Sequence, residues 1–321
     1  MSQRPSVVLL CPGQGAQTVG MGRTWMDTNP ASAQTFAAAD EVVQLPDGAI
    51  LSDLCFNGPE ATLNRTDVSQ PALFATAVAS YQGLLENWGG AEIHAAAGLS
   101  LGEYTALHLA GAFSFQDGLR MVATRGRLMQ EAAEASEGGM VALIGAEEEQ
   151  ANQLCDAARG EDVLVCANFN APGQIVISGS KSACLRAEAA ASDFGLRASV
   201  LSVAGAFHSP LMAPAAEGMA ATLAEIDFQP LNCPVWSNVT GLPHDPDNPE
   251  LLKQRLVEQL TSPVRWSQGC RDLADTLGSS GESPEIHELA PGKVLKGLFR
   301  RIERSLEVVS HDQPETPSAP A

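Results

Sequence analysis

Short apolar runs alternate along the chain with longer segments in which apolar residues recur at helical spacing. The run at 7–11 stops at Pro12-Gly13 and is too short for the hydrophobic region of a signal peptide, so it predicts a buried strand. In this part of the chain we predict strands at 7–11 and 95–98 and helices at 66–88, about 102–110 and 115–133. Such alternation of strands and helices is typical of an α/β fold.

The middle of the chain follows a different order of elements. Ser136-Glu-Gly-Gly139 is a linker signal at its start. Beyond it we predict strands at 140–144, 163–168, 174–178 and 198–203 and helices at 147–158 and 181–194. The order β-α-β-β-α-β is the ferredoxin-like pattern, and it predicts a small subdomain inserted into a larger one.

The composition excludes several classes of protein. Hydrophobic residues make up 45% of the 321 residues and charged residues 18%, which is enough apolar surface for a sizeable core. The 19 basic and 38 acidic residues leave a net charge of −19, which argues against nonspecific nucleic-acid binding and against a basic membrane-surface protein. No segment reaches the roughly 20 apolar residues of a membrane span.

The seven cysteines are scattered along the chain and odd in number. None belongs to a C-x-x-C motif, and no histidine pair has the spacing of zinc ligands, so we expect neither a metal site nor a disulfide framework. This cysteine usage is typical of a reducing compartment, and we expect a cytoplasmic protein.

The first glycine cluster, Gly13-Gln-Gly15, resembles the start of a dinucleotide-binding loop. The third glycine of that motif is replaced by Thr18, and no Gly-Lys-Ser/Thr follows, so neither a dinucleotide nor a P-loop site is predicted. A tight strand-to-helix turn explains the glycines. The N–H groups of such a turn are placed to bind an oxyanion.

The second glycine cluster, Gly98-Leu-Ser100-Leu-Gly102, has the form G-x-S-x-G. It follows a short apolar strand and precedes a segment of helical period, which is the context of an exposed nucleophilic serine. Chance also produces this motif in a chain with 29 glycines. The strand-turn-helix context favours the interpretation that Ser100 is a nucleophile, with the N–H of Leu101 beside the reacting carbonyl.

A serine nucleophile needs a base, and the chain has six histidines. Four of them are set aside because of their place in the predicted elements, the Pro/Asp loop at 243–249 or the tail: His94, His108, His244 and His311. His208 and His287 remain, and His208 follows the last strand of the predicted insert. No acidic residue stands out as a third member of a triad, so a main-chain carbonyl is an alternative partner for the imidazole.

Arg125 lies inside the apolar face of its predicted helix, between Met121 and Met129. A buried guanidinium needs an anionic partner, since an unpaired one costs several kcal/mol. The partner is either a carboxylate of this protein, in a structural salt bridge, or a carboxylate of the substrate. The residues alone leave both alternatives open.

Seven motifs occur in the order of one known family. They are Pro12-Gly-Gln-Gly-Ala-Gln17, Gln70-Pro-Ala-Leu73, Gly98-Leu-Ser-Leu-Gly-Glu103-Tyr104, Arg125-Gly126, Asn168-Phe-Asn-Ala-Pro-Gly-Gln174, Ala206-Phe-His-Ser209 and Ala290-Pro-Gly-Lys293. Together they resemble the malonyl-CoA:acyl carrier protein transacylases, over nearly the whole chain up to about Ser310.

The resemblance implies an α/β fold with an α/β-hydrolase-like large subdomain at 1–136 and 205–310 and a ferredoxin-like small subdomain at 137–204. We expect the tail at 311–321 to be disordered. It further implies that a main-chain carbonyl in the segment Ser262-Pro-Val-Arg-Trp266 orients the histidine. The roles it implies for side chains and N–H groups are nucleophile for Ser100, general base for His208, oxyanion hole for Gln14 and Leu101, and malonyl carboxylate binding for Arg125.

The resemblance implies malonyl transfer from malonyl-CoA to the thiol of acyl carrier protein through a malonyl-serine intermediate, in fatty acid synthesis and without a cofactor or metal. Many members of the family have His where this chain has Leu99, which affects packing around the acyl group. The segment Ala206-Phe-His-Ser209 resembles the form that uses malonyl rather than methylmalonyl groups. We expect a monomer that binds neither nucleic acid nor membrane.

Other functions use the same serine and histidine. They are a serine acyl-thioester hydrolase, a stand-alone acyltransferase of a polyketide or polyunsaturated-lipid synthase, and a noncatalytic module that binds carrier protein. A basic segment is the predicted contact with the acidic carrier protein, although a basic helix end alone also explains it. Its residues are Lys293, Lys296, Arg300, Arg301 and Arg304.

Overall fold

The computed structural model describes residues 4–45, 48–281 and 283–314. Two separate β-sheets, one parallel and one antiparallel, confirm the predicted α/β fold with a second, smaller sheet. Within the described part of the chain, no helix has the length and apolar character needed to cross a membrane.

The larger sheet has five parallel strands in the order β7-β2-β1-β8-β9. They are β1 (Ser6–Cys11), β2 (Glu92–Gly98), β7 (Val235–Trp236), β8 (Glu285–Glu288) and β9 (Val308–Ser310). The apolar run predicted as a buried strand is β1, which lies at the centre of the sheet with Val7 to Cys11 fully buried. Parallel strands are covered by helices on both faces, which explains why this run shows no polar alternation.

The helices that surround the sheets vary from four to 23 residues. They are α1 (Arg23–Thr28), α2 (Pro30–Val42), α3 (Leu51–Asn57), α4 (Glu60–Leu63), α5 (Thr66–Trp88), α6 (Leu101–Leu109), α7 (Phe115–Glu134), α8 (Glu148–Arg159), α9 (Lys181–Ala190), α10 (Ala213–Ala224), α11 (Pro249–Glu258), α12 (Trp266–Ser280) and α13 (Val294–Ile302). The predicted bounds of α5 are those of the structure, and the predicted α7 ends one residue early.

The smaller sheet is antiparallel, in the order β4-β5-β3-β6. Its strands are β3 (Gly138–Ile144), β4 (Leu164–Ala171), β5 (Gln174–Ser180) and β6 (Arg197–Val200). Helices α8 and α9 pack on it around a separate apolar core. This is the ferredoxin-like arrangement. On this ground we propose the boundaries 137–204 for the smaller subdomain.

Main-chain bonds join the smaller sheet to the segment between α11 and α12. The N–H of Phe169 on β4 donates to the carbonyl of Val264 at 2.8 Å, and the N–H of Val264 donates to the carbonyl of Ala167 at 2.8 Å. Gly138 at the start of β3 lies so close to Ala206 that a Cβ on it would be 2.8 Å from the main-chain nitrogen of Ala206. The smaller sheet is therefore held against the segment that leads to His208.

The predicted disordered tail begins too early. His311 is buried, and its N–H donates to the carbonyl of Glu288 at 2.9 Å, because the chain continues along the edge of β8 beyond β9. Its own carbonyl accepts a bond from the Trp25 side chain. The prediction is therefore wrong for His311, and residues 315–321 lie outside the described part of the chain.

Candidate active site

Ser100 occupies the sharp turn between β2 and α6. Its φ of 53° and ψ of −103° are a conformation that L-residues rarely adopt. The turn closes tightly because its flanking positions are glycines. A Cβ on Gly98 would lie 1.9 Å from the carbonyl carbon of Gly102, and a Cβ on Gly102 would lie 2.0 Å from the carbonyl oxygen of Cys11. These contacts explain the spacing of the G-x-S-x-G motif.

Leu101 and Gln14, the two residues predicted for the oxyanion hole, lie directly after Ser100 and in the loop after β1. Leu101 is the first residue of α6, so its N–H has no carbonyl within the helix to bond and lies at the positive end of the helix dipole. Gln14 follows β1 and lines the same cleft as Ser100. Its loop is pressed against the serine turn, since a Cβ on Gly13 would lie 2.1 Å from the carbonyl oxygen of Leu99.

His208 faces the serine. Its Nε2 lies 2.9 Å from the Ser100 Oγ, and its Nδ1 lies 2.8 Å from the main-chain carbonyl oxygen of Gln259. A carbonyl only accepts hydrogen bonds, so Nδ1 carries the proton and Nε2 is free to accept the serine proton. The prediction that a carbonyl in 262–266 orients the histidine is wrong by three residues. Gln259 closes the end of α11, which brings its carbonyl to the imidazole.

Burial lowers the pKa of His208 to about 4, and the nearby positive charge of Arg125 acts in the same direction. The hydrogen bond to the Gln259 carbonyl opposes the shift. The imidazole is therefore neutral at pH 7, which is the state a general base requires.

Arg125 lies on α7 with 1% of its surface exposed, as the position in the apolar face predicts. Its NH2 donates to the Ser100 Oγ at 3.1 Å and to the Gln259 Oε1 at 2.8 Å, and its NH1 donates to the Gln70 Oε1 at 2.7 Å. None of these partners is anionic, and no carboxylate of the described residues lies within 4.0 Å of it. The alternative that Arg125 forms a structural salt bridge with a carboxylate of this protein is therefore wrong.

A second layer of buried polar residues lies behind the serine turn. Glu103 accepts hydrogen bonds from His244, Gln259 and Asn238, and Asn238 also binds the main chain of Ser100. Sequence reasoning missed this layer, and it set aside His244 as a loop residue. The one local signal was the position of Glu103, one helical turn after the serine.

The groups open into a cleft of about 350 Å³ between the two sheets. Much of its lining is apolar and is contributed by both subdomains: Leu99, Met129, Met140, Val176, Leu201, Phe207 and Leu298. Asn168, Asn170 and Gln174 of the smaller sheet also line the cleft and supply amide groups. Ser100 and His208 line the cleft together, so a bound molecule reaches both.

His287, the other histidine that sequence analysis kept as a base, lies elsewhere. It is on β8, where its Nδ1 is 2.8 Å from the Nε2 of His311. In residues 4–45, 48–281 and 283–314, no three His, Cys, Asp or Glu side chains are grouped so as to hold a metal ion. All seven cysteines are free and buried.

Residues 8–283 match the acyl transferase domain family. The chain is 40% identical over 314 residues to the malonyl CoA-acyl carrier protein transacylase of Bacillus subtilis, which covers 97% of this chain and 94% of that protein.

Solved structures of the same fold are also similar. The malonyl-CoA:acyl carrier protein transacylase of Xanthomonas oryzae pv. oryzae has a TM-score of 0.87 and 40% identity, covering 98% of this chain and 96% of the other. A malonyl-transacylase solved in complex with its type II PKS acyl-carrier protein has a TM-score of 0.88 and 36% identity, covering 96% of each chain.

Proposed function

The chain belongs to the acyl transferase domain family, and on this premise we propose that it transfers a malonyl group from malonyl-CoA to the thiol of acyl carrier protein through an ester on Ser100. The chemistry requires a nucleophile, a neutral base and a group that selects a substrate bearing a carboxylate. Ser100, which is hydrogen-bonded to both His208 and Arg125, supports this proposal.

Arg125 is the observation that carries this proposal. The hydrogen-bond partners of this buried cation are two neutral amides and the serine hydroxyl, so no carboxylate is in direct contact with it. A malonyl group esterified to the Oγ of Ser100 brings its free carboxylate next to the guanidinium, where a bidentate ion pair forms. An acetyl group leaves the buried charge unpaired, so the site discriminates against it.

The first half-reaction forms the ester. The Oγ of Ser100 attacks the thioester carbonyl carbon while its proton passes to the Nε2 of His208. The N–H groups of Gln14 and Leu101 hold the oxyanion that develops. When the intermediate collapses, the carbon–sulfur bond breaks and CoA leaves as a thiol with the proton from His208.

The second half-reaction reverses these roles. The phosphopantetheine thiol of the carrier protein attacks the ester carbonyl and gives its proton to His208. The carbon–oxygen bond then breaks and Ser100 recovers the proton. Because CoA leaves before the carrier protein reacts, the kinetics are ping-pong.

The basic segment of α13 lies at the rim of the same cleft, since Val294 and Leu298 line it. Lys296 and Arg300 are exposed on this helix and oppose the net charge of −19 of the whole chain. Arg301 is different, because it donates to the Gln174 side chain and the Pro172 carbonyl. We propose that Lys296 and Arg300 contact the acidic carrier protein and that Arg301 holds the loop between β4 and β5.

Fatty acid synthesis and polyketide synthesis require the same transfer from the same site, and we propose the former as the role of this enzyme. We also propose that it acts as a monomer in the cytoplasm. Free cysteines throughout the chain support a reducing compartment.

The direct test is an intact-mass measurement after mixing the pure protein with malonyl-CoA in the absence of carrier protein. We expect one malonyl adduct per chain, no adduct on the Ser100→Ala variant, and loss of the adduct when carrier protein bearing phosphopantetheine is added. Rapid release of malonate and CoA without carrier protein indicates a hydrolase instead. No adduct and no turnover contradicts both functions.

A further inference from the structure

Glu103 is a buried carboxylate that directly contacts none of the reacting groups. It lies on α6 three residues after Ser100, with 1% of its surface exposed. Its Oε1 is 2.6 Å from the His244 Nε2, and its Oε2 accepts from the Gln259 Nε2 at 2.6 Å and from the Asn238 N–H at 3.1 Å. Burial of a carboxylate is unfavourable unless such bonds compensate for it.

Two of these donors hold the reacting groups. The Oδ1 of Asn238 accepts from the N–H of Ser100 at 2.6 Å, and its Nδ2 donates to the carbonyl of Gly98 at 2.7 Å. The main-chain carbonyl of Gln259 accepts a hydrogen bond from the Nδ1 of His208, and its side-chain oxygen accepts one from Arg125. Glu103 therefore binds both Asn238 and Gln259, and these two residues contact the nucleophile, the base and the guanidinium.

The side-chain amide of Gln259 has an accepting oxygen and a donating nitrogen, and its neighbours determine where each atom points. Arg125 only donates hydrogen bonds, whereas an ionised Glu103 only accepts them. One orientation satisfies both, with Oε1 toward Arg125 and Nε2 toward Glu103. The Nε2 also donates to the carbonyl of Ser100 at 3.1 Å. Without an acceptor at position 103, the amide nitrogen keeps only this longer bond, and the amide is held less firmly against Arg125.

We propose that Glu103, held by His244, is a positioning residue for acyl transfer: it fixes the amide of Gln259 and the main chain of Asn238, so that His208, Arg125 and Ser100 stay aligned. His244 reaches it from the loop after β7, where its own N–H is bonded to the carbonyl of Val235 at 2.8 Å. This role rests on the proposed function for its kinetic consequences.

The test compares Glu103→Leu with Glu103→Gln. Leucine removes the acceptor, whereas glutamine keeps an oxygen for Gln259 and Asn238 and turns its amide nitrogen toward His244, which accepts in its other tautomer. Three quantities are measured: kcat for malonyl transfer, the ratio of malonyl to acetyl adduct formation, and the rate at which a fluorophosphonate labels Ser100. Fluorophosphonate labelling needs the Ser100–His208 pair but no malonyl group.

For Glu103→Leu we expect about a 100-fold loss of labelling rate and of kcat for malonyl transfer, since misplacement of about 1 Å has that effect. The preference for malonyl over acetyl should fall as well. Glu103→Gln should stay within about tenfold of the wild type on each measure, because neutral bonds replace charge-assisted ones. The matched control is Asp40→Leu, which removes a carboxylate that binds only Ser52, outside the site.

The proposal is overturned if folded Glu103→Leu labels and selects like the wild type, or if Glu103→Gln is no better than Glu103→Leu. If Glu103→Leu does not fold, His244→Leu is tested in its place, and His244→Gln is the rescuing variant. An unchanged labelling rate in folded His244→Leu then overturns the proposal. Wild-type protein that is labelled but forms no malonyl adduct refutes the proposed function, while the labelling comparison still decides the role of Glu103.

Discussion

At the scale of single residues, the site depends on two strained positions. Ser100 and His208 have φ values of 53° and 55°, and in the described part of the chain they are the two non-glycine residues with positive φ. Such conformations cost about 1–3 kcal/mol each and persist only where the surrounding structure fixes them. That both belong to the same hydrogen-bonded pair supports the roles proposed for them.

Arg125→Ala tests the selection of the substrate. We expect a loss of malonyl transfer of about 100-fold or more, because a substrate carboxylate then enters a buried site without its partner. Acetyl transfer should change far less, so the preference for malonyl-CoA should narrow. The measurement is kcat/KM for both thioesters. Selectivity equal to that of the wild type would show that the carboxylate binds elsewhere.

The pKa of His208 predicts the acid limb of the pH profile. An imidazole with a pKa of about 4 stays neutral well below the ordinary value of 6.5, so kcat/KM for adduct formation should hold from pH 7 to 5 and fall only toward pH 4. Because the Arg125 charge lowers this pKa, the residual activity of Arg125→Ala should show its acid limb at higher pH. An acid limb near 6.5 in the wild type would contradict the buried, neutral base.

At the scale of elements, the sequence predicted the parts of the site that lie within a single turn or a single helix. The turn around Ser100 follows from the close approach of Gly98 and Gly102, and the burial of Arg125 follows from the period of α7. The short strands β7 and β9, of two and three residues, carry too few residues for any periodicity. The sequence therefore predicted the turn and the helix, but it did not predict β7, β8 and β9 of the larger sheet.

The exposed face of α13 gives the prediction for carrier-protein binding. Reversal of Lys296 and Arg300 to Glu should raise KM for acyl carrier protein several-fold through lost attraction, and leave KM for malonyl-CoA unchanged. Arg301→Glu is the contrasting variant, since it breaks the bonds to Gln174 and Pro172 and should alter the cleft itself. Equal effects of the double reversal on both substrates would exclude this surface.

At the scale of the whole molecule, the active site lies where two sheets with separate cores meet. Ser100 follows β2 of the larger sheet and His208 lies in the segment after β6, whereas Asn168 and Gln174 of the smaller sheet line the same cleft. Bonds between Val264 and β4 hold the sheets together. The cleft therefore lies between two units that have different apolar clusters.

The free energy of unfolding should decrease as pH falls, because His208 and His311 are buried and neutral in the folded chain. Burial, with a smaller contribution from His287, lowers the pKa of His311 to about 4, and burial likewise lowers that of His208. Below about pH 6.5 the unfolded chain binds protons that the folded chain does not, so the free energy of unfolding decreases as pH falls. The slope is about 1.4 kcal/mol per pH unit for each such histidine.

Denaturant unfolding between pH 7 and 5 measures this slope. His311→Gln should unfold with a slope smaller by about one proton, since the substituted residue does not titrate. Glu288, whose pKa burial raises, acts in the opposite direction and is common to both proteins, so it cancels in the comparison. An unchanged slope would show that His311 is not held neutral.

The amino-acid sequence by itself determined the α/β class, the ferredoxin-like order of the insert, the serine turn and the burial of Arg125, because each depends on spacing within a short segment. Only the tertiary structure decided that Gln259 rather than 262–266 orients His208, and that Glu103 binds Gln259, 156 positions away. Hydrogen bonds between distant segments leave no period in the sequence. They depend on how the sheets bring the ends of their loops together.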